Sequence, residues 1–97
     1  MEMYTREEIE RSENDLYTGT VDDLLAKAAQ HNAKVDYFKN VVLVEKYGEK
    51  VNGTQLFKAM QDVREQGFYR VGLRIVRSLK AMGYNCKFDA VNELVVL

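Results

Sequence analysis

The sequence lacks the residues and runs that are typical of several protein classes. Its single cysteine, Cys86, excludes a disulfide within the chain and fits a reducing compartment. It contains no proline, and therefore no proline-rich linker between domains. The longest apolar runs, 41–44 and 94–97, are far shorter than the roughly 20 residues that cross a membrane. The N-terminus also lacks the basic start and apolar stretch of a secretory signal. We therefore expect a cytoplasmic protein with no membrane partner.

Groups that catalyse reactions or bind metals are scarce too. The one histidine, His31, and the one cysteine cannot form a metal-ligand cluster of the usual spacing. The glycines match neither a P-loop nor a dinucleotide-binding motif. We expect His31 at the surface near a helix end and Cys86 as a small core residue. The sequence thus predicts no enzyme, no catalytic residue, no cofactor and no metal, and leaves open only a Cys/His pair formed in space.

Charge is distributed unevenly along the chain. The 97 residues have a net charge of −1, but residues 1–24 sum to −6 and residues 53–88 to +5. With 46% hydrophobic and 30% charged residues, the chain has the composition of one globular domain. We predict an acidic N-terminal arm over 1–17, mobile or loosely docked as a helix, and a single domain over 18–97. The arm is either a solubilising tail or a competitor that occupies basic side chains of the domain.

Local patterns predict a helix, a strand and a second helix. A capping box, in which an N-cap side chain and the third helical residue bond each other's backbone, is indicated at Thr20 with Asp23 and at Asn52 with Gln55. The first helix is expected to end near Asn32. β-Branched and aromatic residues in 34–47 then favour strand structure, at least over 41–46. The apolar face predicted for the second helix comprises Leu56, Phe57, Met60 and Val63.

The last third of the chain predicts a helix followed by a β-hairpin. Apolar residues at helical spacing define one face, flanked by Val71 and Val76, and Gly83 suits the helix end; the face comprises Phe68, Gly72, Ile75, Leu79 and Met82. Alternating apolar and polar residues over 84–88, the turn residues 89–92 and a closing strand over 93–97 predict the hairpin. The segment 67–69 offers no side chain that could cap the start of this helix. The residues therefore leave open whether the second and third helices are separate or form one long helix kinked at Gly67. The fold class is therefore α+β.

The order helix, strand, helix, helix, hairpin resembles the winged helix-turn-helix, a DNA-binding fold. The local resemblance lies in 71–84: Leu79, a three-residue step, and the pair Gly83-Tyr84, which leads into a strand with Cys86 and Phe88. It implies a small winged-helix-like domain with the third helix in the major groove. Such domains also occur at the ends of phage and plasmid replication proteins. The resemblance thus implies a transcription regulator or a replication accessory protein. It also implies a homodimer, for which the apolar last strand offers an edge that a second copy could pair with.

The resemblance also implies which side chains contact nucleic acid. Arg70, Arg74 and Arg77 are expected opposite the apolar face, where they would bind guanine O6 and N7 or clamp phosphates, with Ser78 adding a hydrogen bond. Lys80 and Lys87 would contact phosphates. DNA is favoured over RNA. A polar face is also what any amphipathic helix requires, so the alternative is a protein-interaction module, a small inhibitor or adaptor, that binds an acidic or otherwise charged partner protein.

Overall fold

The chain forms an α+β arrangement of helices followed by a two-stranded antiparallel hairpin. The computed structural model describes residues 16–50 and 52–97, so most of the predicted acidic arm, residues 1–15, lies outside the described residues. We number the elements in chain order. They are α1 (Val21–Tyr37), a π-helical turn (Phe38–Val42), α2 (Leu43–Tyr47), α3 (Gly53–Glu65), α4 (Phe68–Ala81), β1 (Lys87–Asp89) and β2 (Leu94–Val96).

Both predicted capping boxes are confirmed. The backbone N–H of Asp23 donates to Thr20 Oγ1 at 3.2 Å, and the Asp23 carboxylate accepts from the Thr20 N–H at 3.2 Å. Asn52 and Gln55 make the same reciprocal pair at the start of α3. Each box satisfies two backbone N–H groups that have no partner within the helix. The helix starts were therefore readable from four polar side chains.

The strand predicted over 41–46 is wrong, and so is a helix end near Asn32. The backbone stays helical from Val21 to Tyr47, through a π-turn in which the Leu43 N–H donates to the Phe38 carbonyl. Phe38 and Leu43 pack against a buried cluster of Val35, Val63 and Phe68. This tertiary packing of Phe38 and Leu43 against helices outweighs the weak strand preference of the β-branched residues between and beside them.

α3 and α4 are separate helices, and the chain does not form one long helix kinked at Gly67. Gly67 has φ of 71° and ψ of 22°, the left-handed conformation that a glycine adopts without steric penalty. The Gly67 N–H donates to the Arg64 carbonyl at the end of α3, while its own carbonyl accepts from Val71 N–H in α4. A single glycine thus ends one helix and begins the next.

The main core lies between α1, α4 and the hairpin. Leu24 and Ala28 of α1 meet Ile75, Val76 and Leu79 of α4, with Cys86 and Val95 from the hairpin side. Gly72 is buried at the point where α4 comes close to both α1 and the hairpin. A Cβ added there would lie 2.4 Å from Phe88 Cε1 and 2.8 Å from His31 Nε2. The absence of a side chain at Gly72 therefore allows the three elements to meet. Cys86 is buried, as predicted.

The Asn32 side chain of α1 attaches the hairpin to this helix through two hydrogen bonds. Asn32 donates from Nδ2 to the Val95 carbonyl at 2.9 Å and accepts at Oδ1 from the Val95 N–H at 2.8 Å. Val95 pairs with Phe88 of β1, but both of its backbone groups bond Asn32 and therefore form the outer edge of β2. Asn32 therefore occupies the strand edge that the sequence offered as a dimer seam.

His31 is a buried residue, and its predicted surface position is wrong. The side chain is 4% exposed, and its Nε2–H donates to the Glu93 carbonyl at 2.8 Å. Its ring also packs edge-on against Phe68. Burial lowers the pKa of His31 because the charged imidazolium loses solvation. The helix continues past the expected end at Asn32, and the hairpin covers this side of it.

The apolar face predicted for α3 is mostly exposed. Val63 is buried, as is Ala59, but Leu56, Phe57 and Met60 are 52%, 51% and 39% exposed. Polar side chains of α2 form hydrogen bonds with Asp62 of α3 and attach the two helices to each other. Asp62 accepts from Tyr47 Oη at 2.5 Å and from Lys46 Nζ at 3.0 Å. These two hydrogen bonds, that of Tyr47 first, lower the pKa of Asp62.

Candidate nucleic-acid interface

A row of basic side chains lies along the side of α4 opposite the core. We call Arg70, Arg74, Arg77 and Lys80 the basic stripe; their spacing of three or four residues keeps them on one side of the helix. Arg70 and Lys80 are exposed, and Arg74 and Arg77 are half-buried. On the other side of α4, Ile75 and Leu79 are fully buried. The core thus fixes the helix so that Arg70 and Lys80 face outward, while Arg74 and Arg77 are partly covered.

Ser78 does not belong to this surface, and its predicted contact with nucleic acid is wrong. It is 2% exposed, and its Oγ accepts from the Tyr17 N–H at 2.9 Å while donating to the Arg74 carbonyl at 2.7 Å. Both bonds compensate the hydroxyl for its loss of water. The sequence carried a signal for this position, because Ser78 precedes the buried Leu79 and lies one turn after Ile75.

Tyr17 is a residue of this site that the sequence did not indicate. Its half-buried ring contacts cations from two helices: Arg74 Cζ lies 3.8 Å and Lys27 Nζ 4.5 Å from the ring centroid. Tyr17 precedes the first capped helix and lies 61 residues from Ser78, its hydrogen-bond partner. No local pattern connects such distant positions.

Lys80 and Lys87 extend the positive surface from α4 to the start of the hairpin. Both are exposed. Lys80 lies near enough to Cys86 to oppose the effect of burial, which raises the pKa of that thiol. Lys87 opens β1, which follows Cys86 directly. Lys80 thus ends the basic stripe, and Lys87 adds an exposed positive charge at the start of the hairpin.

The hairpin turn has a different character. Asp89 accepts from the backbone N–H groups of Val91 and Asn92, and from Asn92 Nδ2 at 2.8 Å. The Asn92 side-chain bond, followed by that of the Asn92 backbone, lowers the pKa of Asp89, which favours the carboxylate. Lys39 Nζ donates to the Asn92 carbonyl at 2.8 Å and ties the turn to the π-turn. A carboxylate at the turn disfavours phosphate contact there, and Lys87 is the basic side chain of the hairpin strands.

Outside the basic stripe, the described residues form an open groove and no cluster of metal ligands. In the described ranges, 16–50 and 52–97, no three His, Cys, Asp or Glu side chains are grouped as a metal site. An open groove of about 450 Å³ borders the π-turn, and Lys34 is the one cation among its described lining residues, which are Ala33, Lys34, Tyr37, Phe38, Val42, Gln66 and Phe68. Across the same described part of the chain, no helix has the length and apolarity to cross a membrane.

Comparisons of the chain with protein-family models, with curated proteins and with solved structures found no match.

Proposed function

We propose that this protein is a small nucleic-acid-binding protein that contacts duplex DNA through the basic stripe of α4. The observation that carries the proposal is the position of the stripe. It lies on the outer side of the second of two helices that meet at a left-handed glycine and precede a hairpin. A winged helix-turn-helix presents its recognition helix in this order. A role as a regulator or replication accessory protein follows from the same resemblance.

The side chains divide into two kinds of contact. Arg70, Arg74 and Arg77 carry planar guanidinium groups that match guanine edges or phosphates with paired hydrogen bonds. Lys80 and Lys87 carry compact charges that suit phosphates, which supply affinity and salt dependence without sequence choice. Ser78 has no part in the interface because it is buried. Specificity, in this proposal, depends on the arginines.

Fluorescence anisotropy with pooled duplex DNA, single-stranded DNA and RNA tests the proposal at two salt concentrations. We expect duplex affinity that falls steeply with salt, and a salt slope reduced by about 0.9 for each phosphate contact removed. The test variant Arg70→Gln/Lys80→Gln removes two exposed charges from α4. The matched control Arg64→Gln/Lys58→Gln removes two exposed charges from α3. Absence of duplex binding at about 50 mM salt, or equal effects of the two variants, would contradict the proposal.

A protein-interaction module is the second candidate, favoured by the exposed side chains of α3. Leu56, Phe57 and Met60 form an apolar patch on one side of the helix. Such a patch suits an apolar partner surface, whereas the sequence favoured a charged one. A second copy of the chain is the partner we would test first. Sedimentation velocity over a concentration series should show self-association that Phe57→Ser abolishes and Lys58→Ser does not. A monomer at every concentration would remove this candidate.

A further inference from the structure

Tyr17 places the chain that precedes it beside the basic stripe. Its backbone N–H donates to the buried Ser78 Oγ of α4 at 2.9 Å, and Arg74 Cζ lies 3.8 Å from the centroid of its ring. The acidic segment that precedes Tyr17 in sequence is therefore attached to the domain at α4, the helix that carries the stripe, rather than at a distant part of the fold.

The charge of residues 1–15 is opposite to that of the stripe. The segment contains six acidic and two basic side chains, a net charge of −4, whereas the stripe consists of four cations. Two of these cations, Arg70 and Lys80, are exposed and therefore open to a carboxylate. The segment and the stripe are thus electrostatically complementary.

The segment is also long enough to reach both exposed cations. At a rise of about 1.5 Å per residue, Arg70 lies about 12 Å and Lys80 about 3 Å from Ser78 along the axis of α4. A chain spans up to about 3.5 Å per residue, so Glu13, four residues before Tyr17, has a reach of about 14 Å. Attachment through Tyr17 gives the carboxylates an effective concentration on the order of millimolar at the stripe, without the need for a second molecule.

We propose that the acidic segment 1–15 competes with nucleic-acid phosphates for Arg70 and Lys80, and so weakens DNA binding by its own chain. Carboxylate and phosphate oxygens accept hydrogen bonds from the same donors of these cations, so DNA must displace the segment before it can use them. The inference rests on the proposed function and adds a regulation of the same site. Of the two roles that the sequence left open for the arm, it favours competition over solubilisation.

Two double variants of the full chain test the competition by anisotropy with a labelled duplex. The test variant, Glu13→Gln/Asp15→Asn, removes two charges from the segment. The matched control, Glu45→Gln/Glu49→Gln, removes two exposed carboxylates from α2 and the turn after it, so both variants have the same net charge. At about 50 mM salt, the test variant should bind about two- to tenfold more tightly than the control. The ratio should shrink at about 200 mM, because salt screens the contact within the chain.

NMR spectra recorded without DNA report on the contact itself. The side-chain signals of Arg70 and Lys80 should differ between the wild type and Glu13→Gln/Asp15→Asn, because the cations lose nearby carboxylates. The side-chain signals of Lys58 and Arg64, exposed cations of α3, serve as the internal control and should stay unchanged.

The outcomes separate the competition from the proposed function. If the wild type does not bind duplex at about 50 mM salt, both fail. If the wild type binds and the test variant binds no more tightly than the control, the competition alone fails. Unchanged signals of Arg70 and Lys80 in the test variant would also overturn it. If circular dichroism shows that the test variant does not fold, Glu13→Gln alone replaces it, with Glu45→Gln as its control and the same criteria.

Discussion

α3 and α4 are neighbouring amphipathic helices of similar length, yet the structure uses their apolar sides differently. α4 buries Ile75 and Leu79 completely between α1 and the hairpin, and of the apolar face predicted for it only Met82, after the last helical residue, is largely exposed. α3 buries Ala59 and Val63 but leaves Leu56, Phe57 and Met60 largely in solvent. An amphipathic pattern thus predicts that a helix has an apolar side, and the surrounding elements decide whether the same chain covers it.

The largest expected effect compares one leucine from each helix. Leu79→Ala should lower the free energy of unfolding by about 2–5 kcal/mol, because it leaves a cavity in the core. Leu56→Ala should change it by less than about 0.5–1 kcal/mol, since that side chain is half exposed. Urea denaturation of both variants measures the difference. Equal losses would show that α3 is covered in solution, and would contradict the contrast between the two helices.

A second comparison uses one glycine from each helix. Gly72→Ala should destabilise the fold by about 1–3 kcal/mol, because its Cβ would overlap Phe88 and His31. Gly53→Ala is the matched control at the first position of α3, where no described atom lies within 4 Å of an added Cβ. It should leave stability unchanged or slightly increased. The midpoints of thermal unfolding would report both, and a neutral Gly72→Ala would mean that the hairpin moves aside easily.

The hairpin contact of α1 can be tested at Asn32. Asn32→Ala leaves the Val95 N–H and carbonyl without their side-chain partner, at a cost of about 1–3 kcal/mol. Asn40→Ala, which removes an exposed bond to Asp36, serves as the control and should cost less than about 0.5 kcal/mol. Hydrogen exchange at Val95 provides a local measurement. We expect faster exchange there in Asn32→Ala, and unchanged protection would show that the strand edge has another partner.

The smallest expected effect is the pH dependence conferred by His31. Its pKa in the folded state lies below the ordinary value of 6.5. The unfolded chain therefore binds more protons just below pH 6.5, and stability falls as the pH decreases from there towards the folded pKa. The lowered pKa values of Asp62 and Asp89 act only at lower pH, below their ordinary value of 3.8. The free energy of unfolding measured between pH 7.5 and 5, together with NMR titration of the single histidine, checks this dependence. A free energy of unfolding that does not change with pH would contradict it.

Much of the local structure was readable from the sequence. Both capping boxes, the helix end at Gly83, the hairpin and the buried side of α4 follow from neighbouring residues, whereas the residues around Gly67 left open one helix or two. The segment 34–47 was not, because its β-branched residues fit a strand locally and only the packing of Phe38 and Leu43 favours the continuous helix. At the candidate site, the order and spacing of the basic stripe were readable, and the place of Ser78 beside Leu79 carried a signal for its burial. Its partner Tyr17, 61 residues away, was not readable.

The sequence by itself determined where the two capped helices begin and which side of α4 carries positive charge, because both depend on residues at most four positions apart along a helix. The tertiary structure decided what covers each side. Tyr17 reaches Ser78, His31 reaches Glu93 and Asn32 reaches Val95 across 61, 62 and 63 residues. Such contacts leave no periodic trace in the chain, since they depend on the relative placement of whole elements. For that reason, the arginines could be listed from the sequence, while the ring that contacts Arg74 required the fold.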